Sequence, residues 1–149
     1  MALKTSGYSG TPLAKKLGIK ENFTIKLIDT PGYYFDLFED FPERVNINKE
    51  ESNINLIHYF VTEKKELLKN LFGLKKQLAP DGMIWVSWYK KSAKRATDIT
   101  EDIIRDIALK IGLVDVKVCA IDEVWSGLKL VIPVKDRKIK STDNLKTKK

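Results

Sequence analysis

The densest run of side chains able to do chemistry is "WYKKSAKR", Trp88 to Arg95, where Lys90, Lys91, Lys94 and Arg95 crowd beside two aromatic rings and Ser92. Cations at that spacing can neutralise a phosphate or a carboxylate. A helix expected to open near Asp98 would add the positive end of its dipole. A second run, "IKLIDTPGYY", carries an apolar strand into Asp29 and Thr30 and then a Pro-Gly turn. In open α/β sheets, ligands bind at the carboxyl ends of strands, where successive connections diverge to opposite faces. Applied here, that rule nominates Asp29, Thr30, Ser87, Lys90, Lys91 and Ser92 as candidate contacts for a small anionic ligand. The competing reading is a solvated basic loop between a strand and a helix.

Other reactive residues form no convincing constellation. Handling of nucleotide phosphates would need G-x-x-x-x-G-K-[ST] upstream of Asp29, and Gly7, Gly10 and Gly18 do not compose it. His58, the one histidine, sits mid-strand among Ile57, Tyr59 and Phe60 and reads as a hydrogen-bonded core residue. Cys119, the one cysteine, excludes an intramolecular disulfide and reads as a structural thiol. In "DEVWSG", Asp122 and Glu123 are weak evidence for acid–base work, and Trp125 is expected to anchor a hairpin. No catalytic, cofactor-binding or metal-ligating residue is nominated, and no cofactor is expected.

The elements that must position these residues follow from apolar periodicity. Thr11 and Pro12 should open a short helix stopped by Gly18. Strands are expected at Phe23–Thr30, Val45–Ile47, Ile54–Val61, Met83–Trp88, Val114–Ala120 and Leu128–Val134. "YYFDLF" reads as a brief helix. Thr62 should cap a helix running to Leu78, Pro80-Asp81-Gly82 should turn the chain, and Asp98 with Glu101 should open a helix ending at Gly112. Strands alternating with helices imply an α/β fold: a three-layer, Rossmann-like, mostly parallel sheet. The last two strands, with no helix between them, should pair antiparallel at one edge. Residues 1–134 are expected to form one domain, with an N-terminal loop and short helix over 1–22.

Two segments resemble the second half of class I methyltransferase folds. "LAPDGMIWVS" is similar to the helix–turn–strand leading into their fifth strand, and "GLVDVKVCAIDEVWSGLKLVI" to their closing hairpin. The resemblance implies architecture and says little about activity. Those enzymes place a Gly-rich turn after the first strand, whereas "IDTPGYYFD" has one glycine, a proline and two tyrosines. The second strand has no clearly placed ribose-binding acid after it; Glu50 or Glu51 could serve only if the loop folds back. The whole chain, from "GYSGTPLAKKLGI" through "VSWYKKS" to "DEVWSGLKLVI", also resembles a bacterial family grouped as domain of unknown function 3052. That family carries over no site residues.

Net charge is +7, but the residues from Lys135 onward hold seven Lys and Arg against Asp136 and Asp143, so the remainder is nearly neutral. Residues 135–149 are expected to be a mobile basic tail, at most a weak contact for nucleic acid. The start "MALKTSGYSG" lacks a signal-like apolar stretch, and no run is long enough to span a bilayer. The expectation is therefore a cytoplasmic, non-catalytic module that binds a protein partner or a small anionic ligand, without membrane contact. The alternatives are an enzyme acting on an anionic metabolite at the strand-end rim, or a nucleic-acid accessory protein using the tail.

Overall fold

The computed structural model describes residues 10–137. Its strands are β1 (Thr24–Ile28), β2 (Asn46–Ile47), β3 (Ile54–Phe60), β4 (Leu78–Tyr89), β5 (Val114–Ala120) and β6 (Trp125–Val131). Its α-helices are α1 (Leu13–Leu17), α2 (Lys64–Gln77) and α3 (Glu101–Lys110). The strands form one sheet of order β2-β1-β3-β4-β6-β5. Pairings from β2 to β4 are parallel, and β6 runs antiparallel to both β4 and β5. The expected mostly parallel α/β sheet with an antiparallel edge is the observed fold.

Side chains alternate across the sheet and divide the core in two. On one face Ile57, Tyr59, Ile84, Val86, Leu128 and Leu130 pack under α2 and α3. Both helices present apolar residues at helical spacing: Leu67, Leu71 and Leu74 from α2, Ile104, Ile107 and Ala108 from α3. Arg105 of α3 reaches Asp115 of β5 at 2.9 Å, tying helix to edge strand. The opposite face, with Ile25, Leu56, Phe60 and Trp85, is covered by the five-residue α1 and by a 3-10 helix, Tyr34–Leu37. The fully buried Trp85 donates its indole N–H to the Leu17 carbonyl at 2.8 Å, which docks α1.

Several local expectations need correction. Thr11 does not cap α1. The Asp40 carboxylate does, accepting from the Ala14 and Lys15 amides at 3.1 and 3.0 Å, while Gly18 ends the helix at φ +85°. Nor does the Thr62 side chain cap α2; Asp98 accepts from the Lys64 amide at 2.7 Å. With Asp98 so engaged, α3 is capped by Thr100, whose hydroxyl accepts from the Ile103 amide at 3.2 Å. Pro80-Asp81-Gly82 lies inside β4 at an irregularity in its pairing with β3, between Ile54 and Leu56. A Cβ on Gly82 would sit 2.6 Å from the Ile54 carbonyl oxygen, so only glycine lets the strands close there. Finally, β6 begins at Trp125 instead of Leu128 and ends before Pro133, whose missing N–H cannot extend a ladder.

Val134–Asp136 form a further 3-10 turn, and the Arg137 guanidinium donates to the Ile132 carbonyl at 2.8 Å. The start of the expected tail is thus tied to the end of β6. The rest of it, 138–149, and residues 1–9 of the N-terminal loop lie outside the described residues. Among the described residues, no helix is long and apolar enough to cross a membrane, and no group of three His, Cys, Asp or Glu could hold a metal ion.

Candidate functional site

The chain leaves β1 toward β2 on one side and returns through β3 on the other, so the topological switch point lies between β1 and β3. In dinucleotide-binding folds a Gly-rich turn and a helix N-terminus receive the ligand there. Here β1 ends in Asp29, held at φ +55°, and the chain then folds into the four-residue 3-10 helix that starts at Tyr34. Tyr34 is 1% exposed. Its ring meets Phe38, His58 and Phe60 edge-on at centroid distances of 5.1, 5.4 and 5.8 Å. A tyrosine thereby fills the space beside the carboxyl-terminal half of β3.

Tyr34 is also one end of a buried polar chain. Its hydroxyl lies 2.9 Å from His58 Nδ1, and His58 Nε2 lies 2.8 Å from Ser87 Oγ. His58 pairs with Leu27 and Trp85 across the sheet, and Ser87 with Phe60, so all three groups share the α1 face. In either tautomer one imidazole nitrogen donates and the other accepts, and both hydroxyls can serve either role. Burial lowers the His58 pKa to about 3 and raises that of Tyr34 well above its ordinary value. Opposite Ser87, Gly127 leaves room for the network: a Cβ there would lie 3.1 Å from Trp85 and Ile121 and 3.4 Å from Ser87 Oγ.

A serine hydroxyl on a histidine nitrogen is the geometry of an activated nucleophile. Here Ser87 and His58 are both fully buried, and the far imidazole nitrogen meets a neutral phenol instead of a carboxylate. The arrangement satisfies polar groups inside the core, as expected for His58. It also places Ser87 inside the sheet, away from the other nominated ligand contacts.

Those contacts occupy two places. Asp29 is exposed and Thr30 half-buried at the end of β1, whereas Lys90, Lys91 and Ser92 follow β4, two strand positions or about 10 Å away. Lys91–Ala93 form a 3-10 turn closed by Lys94 at φ +55°. Around Lys90 the rim is richer than the sequence suggested. The Arg95 guanidinium lies over the Tyr89 ring at 5.6 Å, and Tyr89 packs on Trp125 at 4.5 Å. Trp125 is buried and also meets Phe60 at 4.9 Å, so it anchors the β5–β6 hairpin. Asp122 shapes that hairpin's turn by accepting from the Val124 and Trp125 amides, both at 2.8 Å.

Two electrostatic couplings join these elements. The pKa of the Tyr33 hydroxyl is raised by burial and then by the Asp122 carboxylate, with Trp125 and then Arg95 opposing, so the loop after β1 reaches across to the hairpin. The Cys119 thiol is raised by burial, while Lys16, Lys117 and Lys90 pull it down. Lysines from α1, from β5 and from the end of β4 are therefore each within electrostatic reach of Cys119. Only Lys90 among them was nominated from sequence; the others are separated from it by tens of residues. Glu50 and Glu51 are exposed in the loop after β2, and Asn48, at its end, accepts from the Leu27 amide at 2.8 Å.

No family model matches the chain, and no curated protein matches it by sequence. Solved structures do match. A SAM-dependent methyltransferase from Aquifex aeolicus aligns at TM-score 0.56 and 17% identity, over 80% of this chain and 88% of that one. A putative type 11 methyltransferase from Sulfolobus solfataricus aligns at 0.54 and 14%, over 85% and 90%. Magnesium protoporphyrin IX methyltransferase from Synechocystis PCC 6803 with bound SAH aligns at 0.53 and 10%, over 80% and 78%. At these identities the likeness shows the fold alone: the chain has the Rossmann-like architecture of SAM-dependent methyltransferases.

Proposed function

We propose that this chain is a non-catalytic module of methyltransferase shape that recognises an anionic group, on a small ligand or on a protein partner, at the rim around Lys90. The observation that carries the non-catalytic reading is Tyr34, buried beside β3 at the switch point with its hydroxyl committed to His58. A nucleotide-like cofactor needs backbone laid bare at that place. That Lys16, Lys90 and Lys117 each act electrostatically on Cys119 is consistent with an anionic ligand nearby. So does the exposed turn carrying Lys91 and Ser92. Asp29 and Thr30, two strands from Lys90 at the end of β1, lie outside this site.

A thermal-shift series with inorganic phosphate and with phosphate- and carboxylate-bearing metabolites tests this. A ligand supplied at a hundred times its dissociation constant adds about 2.7 kcal/mol to the folded state, a rise of several degrees in Tm. The expected result is stabilisation by at least one anion, lost in the exposed double variant Lys90→Ala/Lys91→Ala. An equal response in that variant would move the site elsewhere, and no response to any anion would remove the small-ligand form of the proposal.

A further inference from the structure

The outer surface of α2 and α3 carries a second feature, independent of the rim. Between the helices runs a groove of about 440 Å³ with Leu71, Ile103, Ile107 and Ile111 at its base. Leu68 and Phe72, one helical turn apart on α2, stand along it 56% and 50% exposed. Among the described residues, about half of each of these large apolar side chains is left uncovered.

We propose that this groove docks an acidic amphipathic helix of a protein partner. Charge selects that occupant. Helix α2 carries five lysines against the single acid Glu66, and Lys64 and Lys110 border the groove with Asp106 as its one acidic lining residue. The Lys76 ammonium lies 5.1 Å from the Phe72 ring centroid, so a cation sits directly at the apolar edge. A second copy would bring the same lysines face to face. Residues 138–149 hold five lysines against Asp143 and would be repelled in the same way. From Lys64 to Phe72 the groove follows α2 for about 12 Å, enough for about two turns of a partner helix. Such a helix would insert apolar residues at i, i+3 or i+4 and i+7 and pair its acids with the flanking lysines.

The test uses the full chain and two fluorescein-labelled helical peptides with identical leucine anchors, one with glutamates on its polar face and one with lysines, read by anisotropy. The glutamate peptide is expected to bind saturably, at least 10-fold more tightly than the lysine peptide, and more weakly as salt is raised. Phe72→Ala, at an exposed position, should weaken it about 10-fold or more, as loss of a central aromatic anchor does. Lys90→Ala/Lys91→Ala should leave it unchanged, which separates this surface from the rim. Each of the following results would overturn the proposal. One is no saturable binding of the glutamate peptide, or binding indifferent to Phe72→Ala. Another is a dimer in sedimentation that Phe72→Glu disperses, which assigns the groove to a second copy. The last is co-sedimentation with phosphatidylglycerol vesicles that Phe72→Ala abolishes, which assigns it to a membrane.

Discussion

Tyr34→Ala should lower the unfolding free energy by about 3–5 kcal/mol, the usual cost of removing a large buried aromatic ring. The ring is 1% exposed and meets Phe35, Phe38, His58 and Phe60 edge-on, with centroids 5.1 to 5.8 Å away. Truncation forfeits those contacts and leaves His58 Nδ1 without its partner. Tyr34→Phe keeps the ring and removes only the hydroxyl, so its cost should fall to about 1–3 kcal/mol, that of an unsatisfied buried nitrogen. Urea denaturation at neutral pH, with m unchanged, gives both values. A Tyr34→Ala cost below about 1 kcal/mol would show that the ring is not part of the core, and the account of a filled switch point would fail with it.

The second large effect is on acid stability. His58 is held neutral by burial, with its pKa lowered from 6.5 to about 3. Between those values the unfolded chain binds a proton that the folded chain refuses. The contribution of His58 is therefore fully present above about pH 6.5 and is lost as pH falls toward 3, by up to about 1.4 kcal/mol per pH unit. The Tyr34 phenol, raised above its ordinary value, stays protonated across that window and adds no dependence of its own. In the variant His58→Gln, which keeps a polar side chain between Tyr34 and Ser87, the slope between pH 6 and pH 4 should flatten relative to the parent. Equal slopes in the two proteins would mean that His58 titrates normally and is not sealed in the core.

These expectations rest on contacts that sequence reading reached only in part. The strands were legible wherever an apolar run met a turn signal: Ile54–Phe60 and Val114–Ala120 emerge almost as expected. Where the signal misled, tertiary structure overrode it. Pro80-Asp81-Gly82 has turn chemistry, yet β4 absorbs it as an irregularity against Ile54. Ser126 and Gly127 fell outside the expected strand Leu128–Val134, but Gly127 is a strand residue whose lack of a side chain makes room for Trp85 and Ile121. Caps were the least legible. Asp98 serves α2 from 34 positions away, which a local capping pattern cannot reveal. The same holds for Tyr34, His58 and Ser87, separated by 24 and 29 residues and joined only once strand register is fixed. A sequence signal for them did exist. Small or polar residues at His58 and Ser87 inside otherwise apolar parallel strands require buried partners.

The position of the proposed rim was legible, but the charges that other elements bring toward it were not. Lys90, Lys91 and Ser92 stand where the strand-end rule put them, whereas Lys16 and Lys117 arrive through α1 docking and through β5 lying next to β6. Charge that converges from separate elements is a property of topology, and a linear run such as "WYKKSAKR" reports only the part that happens to be contiguous.

Tyr34 occupies ground an adenosyl cofactor would need, and isothermal calorimetry with S-adenosylmethionine measures whether that ground is closed. The unaltered chain should give no saturable heat at millimolar ligand. A one-to-one isotherm with micromolar affinity, abolished by Asp29→Ala, would contradict it and return the protein to the enzymes whose shape it shares.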